Sequence, residues 1–315
     1  MLYNLISGRN IALMYALTAG GAFFISFFAL KFCMRLLPKD QGRQFAVNGE
    51  LSEGKPRGAG IIFITSFVVC TSLFLPLTVE HIINLVLIYA AMLTGYLDDA
   101  AEKPWGELKK GLLDVVIALG ISINFVWHNS TEISFFGTSV NLPKVVYVIL
   151  GVILVWASIN VTNCSDGVDG LCGSLSVATI FLFNYMGSRL GMLNLIMIMT
   201  IFAYLWFNVS PSKLLMGDAG SRAIGVYLAM LAMYSRHPLM FIPLAIVLII
   251  DGGLGLVKLT IRRVLKKRDF MDNIRTPIHD HMRKKKNWSD TQVVMRFVII
   301  QFVAGLLAMY LISMF

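Results

Sequence analysis

Four short polar segments interrupt an otherwise apolar chain, and each carries aspartate: LDDAAEK at 97–103, NCSDGVDG at 163–170, MGDAG at 216–220 and PIHDH at 277–281. Charge is costly beside hydrocarbon, so carboxylates and imidazoles at the edges of apolar runs point to chemistry that compensates them there. Asp98 and Asp99 are adjacent, and two such groups raise each other's proton affinity unless a cation or a lysine relieves them. A divalent ion is the expected relief; a solvated helix end is the alternative. Asp166 and Asp169 stand three apart, with Gly167 and Gly170 permitting close backbone approach, a spacing that suits two groups facing one site from a helix start or turn. A glycine-rich turn between spans accounts for the same residues without a site.

Asp218 lies between Gly217 and Gly220 where a helix should begin. Exposed amides at that start would hold a phosphate while the carboxylate binds a hard cation through oxygen. His279 and His281 bracket Asp280. With no thiolates beside them, an oxygen-rich set favours Mg²⁺ or Mn²⁺ over zinc. The chain has neither a P-loop nor a dinucleotide fingerprint, which removes the ATP- and NAD-binding readings, and no nucleic-acid partner is expected.

The elements that carry these loops follow from composition. Of 315 residues, 57% are hydrophobic and 14% charged, and the mean hydropathy is +0.73. That balance excludes an ordinary soluble domain and predicts an all-α, polytopic integral membrane protein. Ten apolar runs approach the length of a helical span, at residues 11–36, 60–77, 82–97, 108–127, 145–159, 171–188, 190–207, 219–234, 239–261 and 293–315. The first is too long for a signal-peptide core and should remain as an anchor. One membrane domain over residues 1–315 is the economical organisation. Cys33, Cys70, Cys164 and Cys172 lack metal-ligand or disulfide spacing and read as packed apolar side chains. The stretch 265–274 reads as a short amphipathic segment on the membrane surface.

Lys39, Arg43, Lys55, Arg57, Lys103, Lys109, Lys110, Lys213, Arg222 and the dense set over 258–286 fall in loops on one side, opposite Arg9, Lys144, Arg189 and Arg236. The positive-inside bias therefore places both termini outside and all four aspartate loops on the cytoplasmic face. The net charge of +9 is concentrated on that face, where basic runs contact anionic lipid; beside the His-Asp-His element, Arg283–Lys286 would also draw in phosphates.

Together these features describe a cytoplasmic-side cleft that holds Mg²⁺ and a diphosphate between helices open to lipid. That geometry fits phosphoryl transfer from a soluble nucleotide-linked donor to an acceptor embedded in the bilayer. A cation transporter is the rival, and it would rely on the deeper carboxylates Asp114 and Asp251.

GYLDDAAEK, NVTNCSDGVDGLCG, LLMGDAGSRAIG and TPIHDHMRKKKNWSDTQVVMRF, in this order, resemble the polyprenyl-phosphate N-acetylhexosamine-1-phosphate transferases over most of the chain. The last block is similar to the phospho-N-acetylmuramoyl-pentapeptide branch of that superfamily rather than to its GlcNAc-1-phosphate branch. The resemblance implies Mg²⁺-dependent transfer from UDP-MurNAc-pentapeptide to undecaprenyl phosphate in the bacterial inner membrane, giving lipid I and UMP. A UDP-GlcNAc:undecaprenyl-phosphate GlcNAc-1-phosphate transferase is the alternative, and a homodimer is implied.

By the same resemblance Asp218 corresponds to the Mg²⁺ ligand, with Gly217 beside it in the substrate site. Asp98 and Asp99 match the pair that activates the acceptor phosphate or supports the metal. Asn163, Asp166 and Asp169 match the nucleotide-side loop, and Lys110 a basic residue near the diphosphate. His279 and His281, on the donor and catalytic sides, match the outer members of a histidine triplet. Three departures stand out: Asp280 replaces the middle histidine, Leu215 stands where an aromatic is common, and EGKPRGAG at 53–60 replaces a KGTPTMGG-like stretch, with Lys55 or Arg57 as the compensating positive charge.

Overall fold

The computed structural model of the chain describes residues 11–42, 52–135, 137–267 and 269–314. Arg9 and Arg43 of the charge-bias argument lie outside them. Every apolar run carries helix: α1 Ile11–Cys33, α2 Gly60–Phe74, α3 Val79–Asp99, α4 Glu107–His128, α5 Lys144–Cys164, α6 Leu171–Tyr185, α7 Gly191–Asn208 and α8 Gly217–Tyr234. A broken helix follows as α9 Pro238–Leu244 and α10 Ile246–Val264, then the short α11 Ile278–Lys286 and the final α12 Asp290–Ser313.

Six of these helices are long and apolar enough to cross a membrane, or seven if α9 and α10 form one bent span, so ten full crossings are not established. Helices α2 and α6 have 15 residues each. At 1.5 Å per residue they reach about 22 Å, short of a hydrocarbon layer of roughly 30 Å. An all-α polytopic membrane protein is nevertheless what the chain forms.

Helix α8 is the axis of the molecule, and all 18 of its residues are buried. Its Gly and Ala positions allow neighbouring backbones to come close, the usual basis of helix packing where lipid is as apolar as the side chains. It packs against α2, α3, α5 and α6. The approach of α3 is closest at Gly95, where a Cβ would lie 2.3 Å from the Asp218 carbonyl oxygen. Exposed Phe24 and Phe28 on α1, Val145 and Ile149 on α5 and Ile299 and Val303 on α12 form the lipid-facing rim.

The α9–α10 bend of 72° follows Pro243, which supplies no amide to the helix ladder. Gln301 of α12 repairs the break: its side-chain oxygen accepts the Val247 amide at 2.9 Å, and its side-chain nitrogen donates to the Leu244 carbonyl. Unpaired backbone groups at membrane depth are satisfied in this way when protein surrounds them.

At one end of the bundle an antiparallel hairpin, β1 Glu132–Phe135 and β2 Thr138–Asn141, docks on the turn after α8 through Ser134, whose amide donates to the Arg236 carbonyl at 3.0 Å. The hydrophobicity reading did not anticipate it. Of the stretch 265–274, expected as a short amphipathic segment on the membrane surface, the described residues 269–273 form turns, α10 having stopped at Val264. At the other end, Pro38 and Asp40 pair with Lys55 and Arg57, and that strap is joined to the segment before α8 by bonds from Leu215 N to Pro56 O at 2.8 Å and from Ala59 N to Leu215 O at 3.0 Å. The aspartate loops meet at this strapped end.

Candidate active site

Helix α3 ends in Asp98 and Asp99, where the helix dipole disfavours carboxylates. Each is held by a different cation. Asp98 lies 2.5 Å from the Lys110 ammonium and accepts the Trp105 amide at 2.6 Å. Asp99 accepts Arg57 Nε at 2.9 Å and the Ala219 amide at 3.0 Å. Lys110 and Arg57 thus stand as counter-charges to the pair.

The Ala219 bond also revises the expected role of the α8 N-terminus. An amide expected to hold a phosphate is taken by Asp99, a favourable partner for a positive helix end. Gly217 makes this possible. It has φ +71°, and a Cβ there would fall 2.2 Å from Asp99 Oδ2.

Arg57 is the hub of the centre. Besides Asp99, it reaches Asp40 at 3.2 Å and Asp218 at 3.7 Å. Burial alone would lower its pKa, but the carboxylates of Asp99, Asp218, Asp40 and Asp166 outweigh burial and raise it, so the guanidinium is a fixed cation. Asp40 carried no sequence signal beyond its charge; its side chain is 1% exposed. Arg57→Ala would strand that carboxylate without its counter-charge and is expected to destabilise the protein by about 3 kcal/mol. Arg57→Lys should recover part of the loss, since an ammonium keeps the charge but not the planar fork; thermal unfolding of both variants checks this.

Asp218 has the loosest contacts of the group. One oxygen lies 3.3 Å from Lys110 Nζ, the other 3.7 Å from Arg57, and its side chain also bonds to Asn163. Asn163, near the end of α5, donates to Ser221 at 3.0 Å, which ties the NCSDGVDG loop to α8. In that loop Asp169 accepts the Ser212 amide at 3.0 Å and lies 3.9 Å from Lys55, and Asp166 adds to the negative field at Arg57. Both positive charges proposed for EGKPRGAG therefore act on acidic loops, Arg57 at the centre and Lys55 at its margin.

The histidines stand apart. Neither shares a hydrogen bond or ion pair with Asp98, Asp99 or Asp218 among the described residues. His279 Nδ1 donates to Asp251 at 2.8 Å, and its ring packs on Gly167. His281 Nδ1 accepts the Arg275 amide at 3.2 Å. Asp280 lies between Arg275 at 3.6 Å and Arg283 at 3.7 Å. The deep carboxylates of the transporter reading are both engaged: Asp114 pairs with Arg222 at 2.5 Å and Asp251 with His279.

Among the described residues no group of three or more His, Cys, Asp or Glu side chains is arranged to hold a metal. The charges and donor types nevertheless fit one. Four carboxylates, Asp40, Asp98, Asp99 and Asp218, stand against two cations, Arg57 and Lys110. One divalent ion would neutralise the excess, and the loosely held Asp218 oxygens are the hard donors it prefers.

A sequence model described as Glycosyl transferase family 4 matches residues 81–236, from α3 to the turn after α8. A phospho-N-acetylmuramoyl-pentapeptide-transferase of Treponema pallidum is 36% identical over 99% of this chain and 91% of its own length. This chain belongs to the phospho-N-acetylmuramoyl-pentapeptide-transferase family. The enzymes of that name from Petrotoga mobilis, 32% identical over 82% of this chain and 84% of its own length, and from Dictyoglomus turgidum, 30% identical over 93% of this chain and 96% of its own length, agree. The stretch matched by the glycosyl transferase model contains Asp98, Asp99, Lys110, Asn163, Asp166, Asp169 and Asp218. Arg57, Asp251, His279 and His281 lie beyond it.

Proposed function

We propose that this chain transfers phospho-N-acetylmuramoyl-pentapeptide from its UDP carrier to undecaprenyl phosphate in a Mg²⁺-dependent reaction, producing lipid I and UMP. The strapped end faces the cytoplasm of a bacterial cell, and both termini lie outside. The observation that carries this reading is the meeting of Asp98, Asp99 and Asp218 with Lys110 and Arg57 at one end of a helical bundle in a chain of this family.

In the reaction an oxygen of the acceptor phosphate attacks the donor phosphorus that bears the sugar. The bond from that phosphorus to the bridging oxygen breaks, and the bridging oxygen leaves on UMP. Lys110 holds the donor phosphates. Asp98 and Asp99 orient the acceptor phosphate, and the base among them has at most one proton to remove, because a phosphate monoester oxygen is already nucleophilic near neutral pH. Asn163, Asp166 and Asp169 bind the nucleotide side, with His279 and His281 at the donor's far edge and Gly217 giving the backbone clearance beside Asp218. A Mg²⁺ ion held by Asp218 would supply neutralisation of the charge that develops on the phosphates. Since the centre already contains two fixed cations, its preorganised field does part of that work from the protein itself.

The test is UMP release by the detergent-purified chain given undecaprenyl phosphate and Mg²⁺, with UDP-MurNAc-pentapeptide and UDP-GlcNAc offered separately. Release from the muramoyl donor alone, abolished by chelator, is expected. Release from UDP-GlcNAc alone would move the chain to the GlcNAc-1-phosphate branch.

A further inference from the structure

Asp251 has no part in the reaction described above, yet it is among the most constrained carboxylates in the molecule. It sits in the π-helical turn Ile249–Gly253 of α10 and is 0% exposed. Such turns insert one residue into the helix and recur at functional sites, because they re-aim a side chain. Here the side chain is aimed at the start of α11. Asp251 Oδ1 accepts the His279 amide at 2.7 Å, and Oδ2 accepts His279 Nδ1 at 2.8 Å, with Oδ1 3.1 Å from the same ring nitrogen. Both oxygens of this buried carboxylate are therefore engaged by one residue.

The consequence lies at the far side of the ring. A carboxylate that accepts from Nδ1 keeps the proton there and makes Nε2 the working nitrogen. Nε2 makes no hydrogen bond among the described residues. It lies 3.9 Å from Asp280 Oδ1, and a Cβ on Gly167 would come within 2.3 Å of it. Gly167 is exposed and separates Asp166 from Asp169 in the loop assigned to the nucleotide. His279 is thus clamped from below by the membrane helix and pressed from above against that loop.

We infer that Asp251 is a positioning residue: acting through His279, it fixes the direction and tautomer of the imidazole so that Nε2 meets an anionic group of a nucleoside diphosphate beside Gly167. This rests on the reading that the loop at 163–170 receives the nucleotide. Asp251→Asn keeps the volume but offers an amide N–H to Nδ1 and reverses the tautomer. A merely structural Asp251 would lower the unfolding temperature and leave ligand affinity unchanged well below it.

The experiment measures UDP binding by calorimetry on the purified full chain, for wild type, D251N, D251E, H279Q and the D251N/H279Q double variant. D251N and H279Q are each expected to bind UDP at least about tenfold more weakly. D251E should recover part of the loss, and the double variant should bind no more weakly than H279Q, because Asp251 has nothing left to orient. Wild-type affinity in D251N, or losses that add in the double variant, would overturn the inference. UMP release by wild type is scored separately, so failure of the proposed reaction is told apart from failure of the dyad.

Discussion

Asp218→Asn is expected to reduce turnover at least about 10³-fold, equivalent to roughly 4 kcal/mol of lost transition-state stabilisation, while the protein stays folded. The two halves of this expectation have separate causes. Of the four central carboxylates Asp218 has the longest ion pairs, 3.3 Å and 3.7 Å, so its oxygens are the ones freest to turn toward a divalent ion. Removing that charge takes away the group best placed to hold a divalent ion. It also removes one negative charge from a centre in which carboxylates outnumber cations, and this relieves repulsion instead of creating it.

Asp99→Asn is different in kind, since Asp99 accepts the Ala219 amide at the start of α8 and the Arg57 guanidinium together. Its replacement should lower stability as well as rate. UMP release and thermal unfolding on the same preparations separate the cases. An Asp218→Asn variant with normal Mg²⁺-dependent turnover would sink the metal assignment.

The contrast between these two aspartates marks what the sequence could say. Hydrophobic periodicity and the positions of the polar breaks placed the helices within a few residues, because the cost of burying charge in lipid is local to each run. Partners are not local. Nothing near Asp40 signals that it anchors Arg57, because the pairing of 38–40 with 55–57 is set by the strap and not by the residues themselves. That adjacent Asp98 and Asp99 would need a cation or a lysine was legible; that the fold supplies each with its own, Lys110 and Arg57, was not, because consecutive residues at a helix end point in different directions. Gly217 was legible only as a residue beside Asp218 in the substrate site; that its missing side chain also clears space for Asp99 required the packing of α3 on α8. The hairpin after α4 was missed because two four-residue strands leave too little apolar alternation to register beside such long helices. Asp251 was read only as one of the deeper carboxylates; its partner His279 lies 28 residues away in sequence.

The largest effect on stability is expected at a pair remote from any substrate. Arg222 and Asp114 meet at 2.5 Å with side chains 3% and 5% exposed. Each lies one turn deeper than a member of the active centre, Arg222 four residues after Asp218 on α8 and Asp114 four after Lys110 on α4. The two helices are therefore joined by two successive bridges of opposite polarity, Lys110–Asp218 at the mouth and Asp114–Arg222 below it. Arg222→Ala would leave Asp114 as a buried anion without a counter-charge, which costs about 3–5 kcal/mol and should lower the unfolding temperature by on the order of 10 °C. The double variant Asp114→Leu/Arg222→Met removes both desolvation penalties and keeps the volume, so it should recover most of that loss. If the lower bridge sets the register of the upper one, turnover in the double variant should fall although stability is restored, because the Lys110–Asp218 pair then loses the ion pair one turn below it. Equal unfolding temperatures for wild type and Arg222→Ala would show that the pair contributes nothing to the fold. Full turnover in a stable double variant would show that α4 and α8 keep their register through apolar packing alone.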